Sequence, residues 1–240
     1  MSRWRLCGHD GRGGRALALD GARVLAEARG IGADEALAAL GDATGPVLRV
    51  GEGVAAPLPA PLLPETTGQT LPGLSQAAPP DVLDGWTRLL LIGLSEAHPD
   101  WDGVACVLTP TLSHWVHLSA REAVSCLSFL TPRLVAALGG AEAADADALA
   151  DSLSRPERLA AHLRAAEVAG RPAALTGHLL GAELAAARPY WLGQSVALIA
   201  PAGGASGRAA ALEAQGVPVA CHAPGTLIAP AVAALARLVA

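Results

Sequence analysis

The 240-residue chain contains no lysine; all 17 basic residues are arginine. That absence removes whole chemistries. A Walker A loop requires a Gly-Lys-Ser/Thr run, and pyridoxal-phosphate and Schiff-base enzymes require a side-chain amine. Aromatic residues are only 3% of the chain, so a core must be built from Ala, Leu and Val, which suits helices packed around short strands. The net charge is −5 and no basic stripe occurs, which argues against nucleic acid or an anionic membrane as partner. The N-terminal MSRWRLCGHDGRGG has no apolar core of the kind a secretory signal needs, and no run is long enough to span a bilayer. A cytoplasmic protein is the expectation. The four cysteines, Cys7, Cys106, Cys126 and Cys221, lack Cys-x-x-Cys spacing and read as buried thiols rather than disulfides. Neither Gly-x-Ser-x-Gly nor a Gly-x-Gly-x-x-Gly after a strand is present, so hydrolase and dinucleotide-binding readings lack support.

What is present divides near residue 100. Before it, the pattern predicts strands over 16–19 and 23–28 joined by an Asp20-Gly21 turn, a helix over 33–40 and a strand over 46–50. Residues 51–80 are rich in Pro and Gly and read as a surface connection, followed by a helix over 82–94. Beyond it, strands are predicted over 104–108, 115–118, 195–200 and 217–220. Helices are predicted over 121–138, 147–168, 173–187, 205–215 and 230–239. Strands alternating with helices indicate an α/β fold in two lobes, 1–101 and 102–240, with the last helix free to return to the first lobe.

Three segments could carry chemistry. GVACVLTPTLSHWVHLS, residues 103–119, reads as strand, hydroxyl-rich turn and strand, a way of presenting N–H and hydroxyl groups to phosphate. Pro110 stands there where such a turn favours glycine and a donor. Asp10 precedes the glycine-rich Gly11-Arg12-Gly13-Gly14, where a carboxylate can hold hydrated Mg²⁺. Ala202-Gly203-Gly204-Ala205-Ser206-Gly207 joins a strand to a helix and could let a nucleotide ring approach; the bland alternative is a tight loop with Ser206 as cap. His114 and His117 fall on opposite faces of one strand, and Cys221-His222 diverge likewise, so neither pair suggests a metal or catalytic dyad.

In order along nearly the whole chain, several segments resemble the 2-dehydro-3-deoxygalactonokinase family. Leu71–Gly85, LPGLSQAAPPDVLDG, is similar to the family's PGL…PPDVMRG. LTPTLSHWV at Leu108–Val116 is similar to LPGTHSKWV, with Phe129-Leu130-Thr131 in the place of F-M-T. LTGHLLGAE at Leu175–Glu183 is similar to LSGLLIGAE. Asp10 stands at the aspartate of D-W-G-T-T, and Gly203-Gly204 follow a strand as the family's adenosine-side glycines do. The resemblance implies two ribonuclease-H-like lobes of the sugar kinase/actin/Hsp70 type with ATP in a central cleft. It further implies transfer of the γ-phosphate to the 6-hydroxyl of 2-dehydro-3-deoxy-D-galactonate with Mg²⁺, in a protein for which a homodimer is a candidate assembly. By the same resemblance Asp10 helps hold Mg²⁺, Thr111 and Ser113 approach the phosphates, and Gly203 and Gly204 border the adenosine.

The departures from that pattern cluster at the chemistry. Pro110, Leu112 and His114 replace Gly, His and Lys; Asp84-Gly85-Trp86-Thr87 replaces an acidic pair; Thr131-Pro132-Arg133-Leu134 replaces T-G-E-L. They remove backbone donors, a phosphate cation and carboxylates that could act as base. Two functions stay open: a working sugar-acid kinase, or a catalytically impaired pseudokinase that binds a sugar acid or nucleotide.

Overall fold

A computed structural model describes residues 3–201 and 203–239. It divides the chain into two α/β units. The first runs through Asp102 and includes Leu118–Cys126 and the chain from Pro224 onward; the second comprises Gly103–His117 and Leu127–Ala223.

The first unit is built on β1 (Arg3–His9), β2 (Gly14–Asp20), β3 (Arg23–Gly30), β4 (Val47–Val50) and the short β7 (Thr70–Leu71), ordered β3-β2-β1-β4-β7. The strand β1 was not foreseen, although its alternation of Arg3 and Arg5 with buried Trp4 and Leu6 is the period of a half-buried strand. The Asp20-Gly21 turn forms as expected, with Trp4 Nε1 donating to the Gly21 carbonyl at 2.8 Å. Short connections force β1, β2 and β3 antiparallel, whereas β4 runs parallel to β1 after α1 (Ala33–Ala38) crosses over. The Pro- and Gly-rich stretch is more ordered than its composition suggests. It carries β5 (Ala56–Pro57), β6 (Ala60–Pro61), β7, β8 (Leu74–Ala77) and, running just past it, β9 (Pro80–Leu83). The following helix α2 (Gly85–Ala97) therefore starts later than predicted, because Asp84 caps it: Oδ1 accepts the Thr87 N–H at 2.8 Å and Oδ2 the Thr87 hydroxyl at 2.9 Å.

From α2, buried Arg88 donates to the carbonyls of Leu62, Pro72 and Pro61 at 2.9, 3.0 and 3.0 Å, fastening the irregular segment to the helix. Burial pulls this guanidinium down to about 10.

The second sheet repeats the strand order, and its Leu118–Cys126 stretch belongs to the first unit. β10 (Gly103–Leu108), β11 (Ser113–Ser119) and β12 (Glu122–Phe129) form a meander, and β13 (Val196–Ile199) and β14 (Val219–His222) add parallel strands, giving β14-β13-β10-β11-β12 with β6 beyond β12. Residues 122–129 were expected to be helical. They form a strand because Ala120 and Arg121, both with positive φ, make a two-residue turn after β11, and the Asp102 carboxylate accepts the Ala120 N–H at 2.8 Å. Only α3 (Thr131–Ala137) of that expected helix remains.

The predicted helix over 147–168 is likewise two, α4 (Ala146–Ser154) and α5 (Leu159–Val168), parted at Arg155-Pro156, since proline disfavours helical backbone before it. Helix α6 (Pro172–Ala186) is buried on almost every side, and α7 (Arg188–Trp191) and α8 (Ser206–Ala214) complete the unit. Its core joins Trp115, Leu149, Leu180, Leu184, Trp191 and Leu198. The glycines of LTGHLLGAE have a packing cause: a Cβ on Gly177 would fall 2.4 Å from the Asp145 carbonyl, and one on Gly181 would fall 2.2 Å from that of Leu149. They let α6 lie directly on α4. The last helix, α9 (Pro224–Val239), begins earlier than expected and carries Pro230 inside it.

Among the described residues no helix is long and apolar enough to cross a membrane. Three cysteines are buried as expected, but Cys221 is exposed, because its strand β14 is the edge of the sheet. Burial pushes the Cys126 thiol up to about 12 and raises Cys7 and Cys106 as well, leaving all three unreactive at neutral pH.

Candidate functional site

In each unit the notable loops leave the carboxyl ends of neighbouring parallel strands, the customary ligand edge of an α/β sheet. In the first unit β1 and β4 pair through Gly8 and Val50, so the Asp10 turn and the Gly51 segment emerge side by side. In the second, β10 and β13 pair through Val107 and Ile199, which brings the 109–112 turn beside the loop holding Gly203 and Gly204.

Asp10 sits in a tight turn closed by its own N–H to the Gly13 carbonyl at 3.0 Å. Its side chain is 8% exposed, and Arg29 on β3 donates to Oδ2 at 2.8 Å. Oδ1 accepts the Arg12 N–H at 3.0 Å. Burial opposes ionisation, but the Arg12 N–H and the Arg29 guanidinium outweigh it and hold the carboxyl below its ordinary range. Asp10 is thus an anion already supplied with a cation.

The 109–112 turn is likewise satisfied from within. The Thr109 N–H donates to the Leu112 carbonyl at 2.9 Å, as does the Thr109 hydroxyl at 3.0 Å. The same hydroxyl oxygen accepts the Leu112 N–H at 2.9 Å and lies 3.4 Å from the Thr111 nitrogen. Pro110 has no donor to give. Thr111 is exposed at the tip, but Ser113 is 0% exposed and belongs to the floor beneath the turn. His114, at the position of the family's lysine, is buried with Nδ1 at 2.6 Å from Ser128 Oγ, and so serves as a strut rather than a surface cation.

On the neighbouring loop Gly203 has φ +82°, which requires glycine, and the Gly204 N–H donates to the Pro201 carbonyl at 3.0 Å. Ala202, within the same loop, lies outside the described residues. The Ser206 cap of the bland alternative does not form: Ala205 is the N-cap of α8, and the Ser206 hydroxyl instead donates back to the Gly203 carbonyl at 3.1 Å.

Below both loops lies an ion pair that residue spacing did not single out. Glu183 of α6 and Arg208 of α8 have side chains 0% and 7% exposed and meet in a two-pronged contact: Arg208 Nε to Oε1 at 3.1 Å and Nη2 to Oε2 at 3.0 Å. Trp115 Nε1 also donates to Oε1, at 3.2 Å. Burial works against the carboxylate's charge, but Arg208 outweighs it, aided by the Thr131 and Ser113 hydroxyls, and Glu183 is held below its ordinary range. Ser113 Oγ has no well-aligned hydrogen-bond partner, so its contribution is chiefly that of a dipole beside the charge. The available signal was a glutamate in an otherwise alanine- and leucine-rich helix, which must have a partner if buried.

Two α/β units, with two sheets that share one five-strand order, define a protein of the two-lobed sugar kinase/actin/Hsp70 fold class. Within it, the chain is similar to a Sinorhizobium meliloti protein provisionally named a 2-dehydro-3-deoxygalactonokinase, with TM-score 0.81 and 23% identity over 98% of both chains. It is also similar to the activator of 2-hydroxyisocaproyl-CoA dehydratase from Clostridium difficile, solved with bound ADPNP (TM-score 0.56, 10% identity, 98% of this chain and 94% of that one). Component A of (R)-2-hydroxyglutaryl-CoA dehydratase from Acidaminococcus fermentans matches with TM-score 0.51 and 11% identity, over 99% of this chain and 97% of that one. No family model and no curated protein matches the sequence.

Proposed function

We propose that the protein is an ATP-dependent sugar-acid kinase that phosphorylates the 6-hydroxyl of 2-dehydro-3-deoxy-D-galactonate. The observation that carries this reading is the end-to-end likeness to the Sinorhizobium meliloti protein, which covers 98% of both chains. The ADPNP in the Clostridium difficile relative supports a nucleotide as ligand of this fold. In this reading Gly203 and Gly204 border the adenosine and Thr111 meets the phosphates, with Ser113 supporting the turn from below.

Among the described residues no group of three or more His, Cys, Asp or Glu could hold a metal, and the Asp10 oxygens already take the Arg12 N–H and Arg29; a Mg²⁺ brought with ATP would therefore meet Asp10 only through water, and would supply charge neutralisation at the phosphates. Such transfer rests on positioning more than on covalent chemistry by the protein.

A coupled assay of ADP release with 2-dehydro-3-deoxygalactonate as acceptor tests the proposal; the expected result is release that requires the sugar acid. A second reading, a nucleotide- or sugar-acid-binding pseudokinase, is favoured by one specific observation: the 109–112 turn spends its donors on Thr109 and Leu112. Absent ADP release, together with a rise in melting temperature on adding nucleotide, would select it.

A further inference from the structure

The buried Glu183–Arg208 pair is a polar feature of the second unit that the proposed chemistry does not use. Its placement is specific. Arg208 is the third residue of α8, four positions after Gly204, and is therefore rigidly tied to the loop that α8 terminates. Trp115 and Ser113 lie in the first three residues of β11, immediately after the 109–112 turn. Thr131 opens α3. One carboxylate at the end of α6 thus gathers the origins of three elements, and two of them begin at the loops that share an edge through β10 and β13.

Burying two charges is costly, and an ion pair of this kind gives little net stability over apolar side chains that fill the same space. Apart from the Trp115 N–H and the Thr131 and Ser113 hydroxyls, the pair lies in the second unit's apolar core, which includes Cys106, Leu184 and Leu212, so an apolar pair would satisfy most of the packing. What an apolar pair cannot supply is direction. The planar fork of a guanidinium on a carboxylate fixes one rotation of α8 about its axis, and the indole N–H fixes the start of β11 against the same oxygen.

We infer that Glu183 and Arg208 are positioning residues for nucleotide binding, holding the Gly203-Gly204 loop and the 109–112 turn in mutual register. The inference rests on the reading of these two loops as the nucleotide side of the kinase. It assigns neither residue a contact with ligand; both act through the loops they anchor.

The test is equilibrium binding of ADP by calorimetry, which needs no turnover, beside binding of 2-dehydro-3-deoxygalactonate and the melting temperature. Glu183→Gln leaves the shape but strands the guanidinium, and ADP affinity should fall at least tenfold. The apolar pair Glu183→Leu with Arg208→Met should recover the melting temperature yet keep ADP affinity at least tenfold below wild type, while sugar-acid affinity changes less than twofold. Trp115→Phe removes the N–H together with part of a fully buried ring and leaves the ion pair, so it serves if the charged variants do not fold; it should weaken ADP several-fold while sugar-acid affinity changes less than twofold, whatever melting temperature the cavity costs. If the apolar pair restores ADP affinity together with stability, or if Trp115→Phe binds ADP as wild type does, the pair is only structural and the inference is overturned. Wild-type protein that binds no ADP overturns the kinase reading itself, and the inference with it.

Discussion

The Thr109 hydroxyl is the hinge of the phosphate-turn argument, and Thr109→Val isolates it by keeping shape and branching. The substitution removes a donation to the Leu112 carbonyl at 3.0 Å and an acceptance from the Leu112 N–H at 2.9 Å. The contact with the Thr111 nitrogen, at 3.4 Å, lies outside good hydrogen-bond geometry and counts for little. Two neutral bonds at roughly 1 kcal/mol each give about 2 kcal/mol. Thr109 is only half-buried, so water takes over part of the role, and about 1 kcal/mol remains as the expected loss. For a chain of this size that lowers the melting temperature by roughly 2–4 °C. Nucleotide affinity moves differently: the Leu112 N–H is released, and the Kd for ADP should stay within about threefold of wild type or tighten, since no ligand contact is lost. Scanning calorimetry and titration calorimetry read the two quantities. If the hydroxyl instead touches phosphate, losing a bond to a charged group costs about 1.5–3 kcal/mol, or roughly 10- to 100-fold in Kd, with the turn unaffected. Weakening of that size with an unchanged melting temperature would refute the self-closed turn.

Other consequences concern the scaffold. In the second unit, His162 and His178 stack with ring centroids 4.6 Å apart and share the buried Ser152 hydroxyl at 3.1 and 2.9 Å, and Asp151 lies 3.3 Å from His162 Nε2. Burial first, then His162, holds His178 below 6.5, against the opposing pull of Asp151 and Asp145. The unfolded chain therefore binds the proton more readily, and stability should fall as pH drops below about 6.5; His178→Gln should flatten the melting temperature between pH 7 and 5.5, and an unchanged slope would contradict the assignment. Arg88→Met strips three carbonyls of their donor and should cost about 3 kcal/mol or more, visible as a lower urea midpoint and faster proteolysis in the segment before α2. Gly181→Ala should cost roughly 1–3 kcal/mol because its Cβ meets the Leu149 carbonyl; a melting temperature equal to wild type would show that α4 and α6 can part without penalty.

The alternation of strands and helices, the Asp20-Gly21 hairpin and the small-residue character of the loops were legible from residue types, because each has a local physical cause. Residues 122–129 were not: their helical propensity is overridden by Ala120 and Arg121 in positive φ and by Asp102, some 18 residues upstream of the turn it holds. At the site, the ligand-edge placement of the 109–112 turn and Gly203-Gly204 followed from their positions after strands, whereas that of the Asp10 turn did not, because β1 before it was not foreseen. Which donors remain available did not, since Arg29 reaches Asp10 from another strand and Thr109 closes a turn whose tip resembles a phosphate loop. The Glu183–Arg208 pair was hidden for the same reason, with partners 25 residues apart on helices whose packing no local pattern reports.

The central claim is phosphoryl transfer to a sugar acid, and the most direct measurement is mass-spectrometric detection of product from ATP and 2-dehydro-3-deoxygalactonate with purified protein. The expected result is a mono-phosphorylated sugar acid formed in step with ADP. Nucleotide binding with no phosphorylated product, under conditions where an ordinary sugar kinase turns over, would contradict it and leave the binding protein in its place.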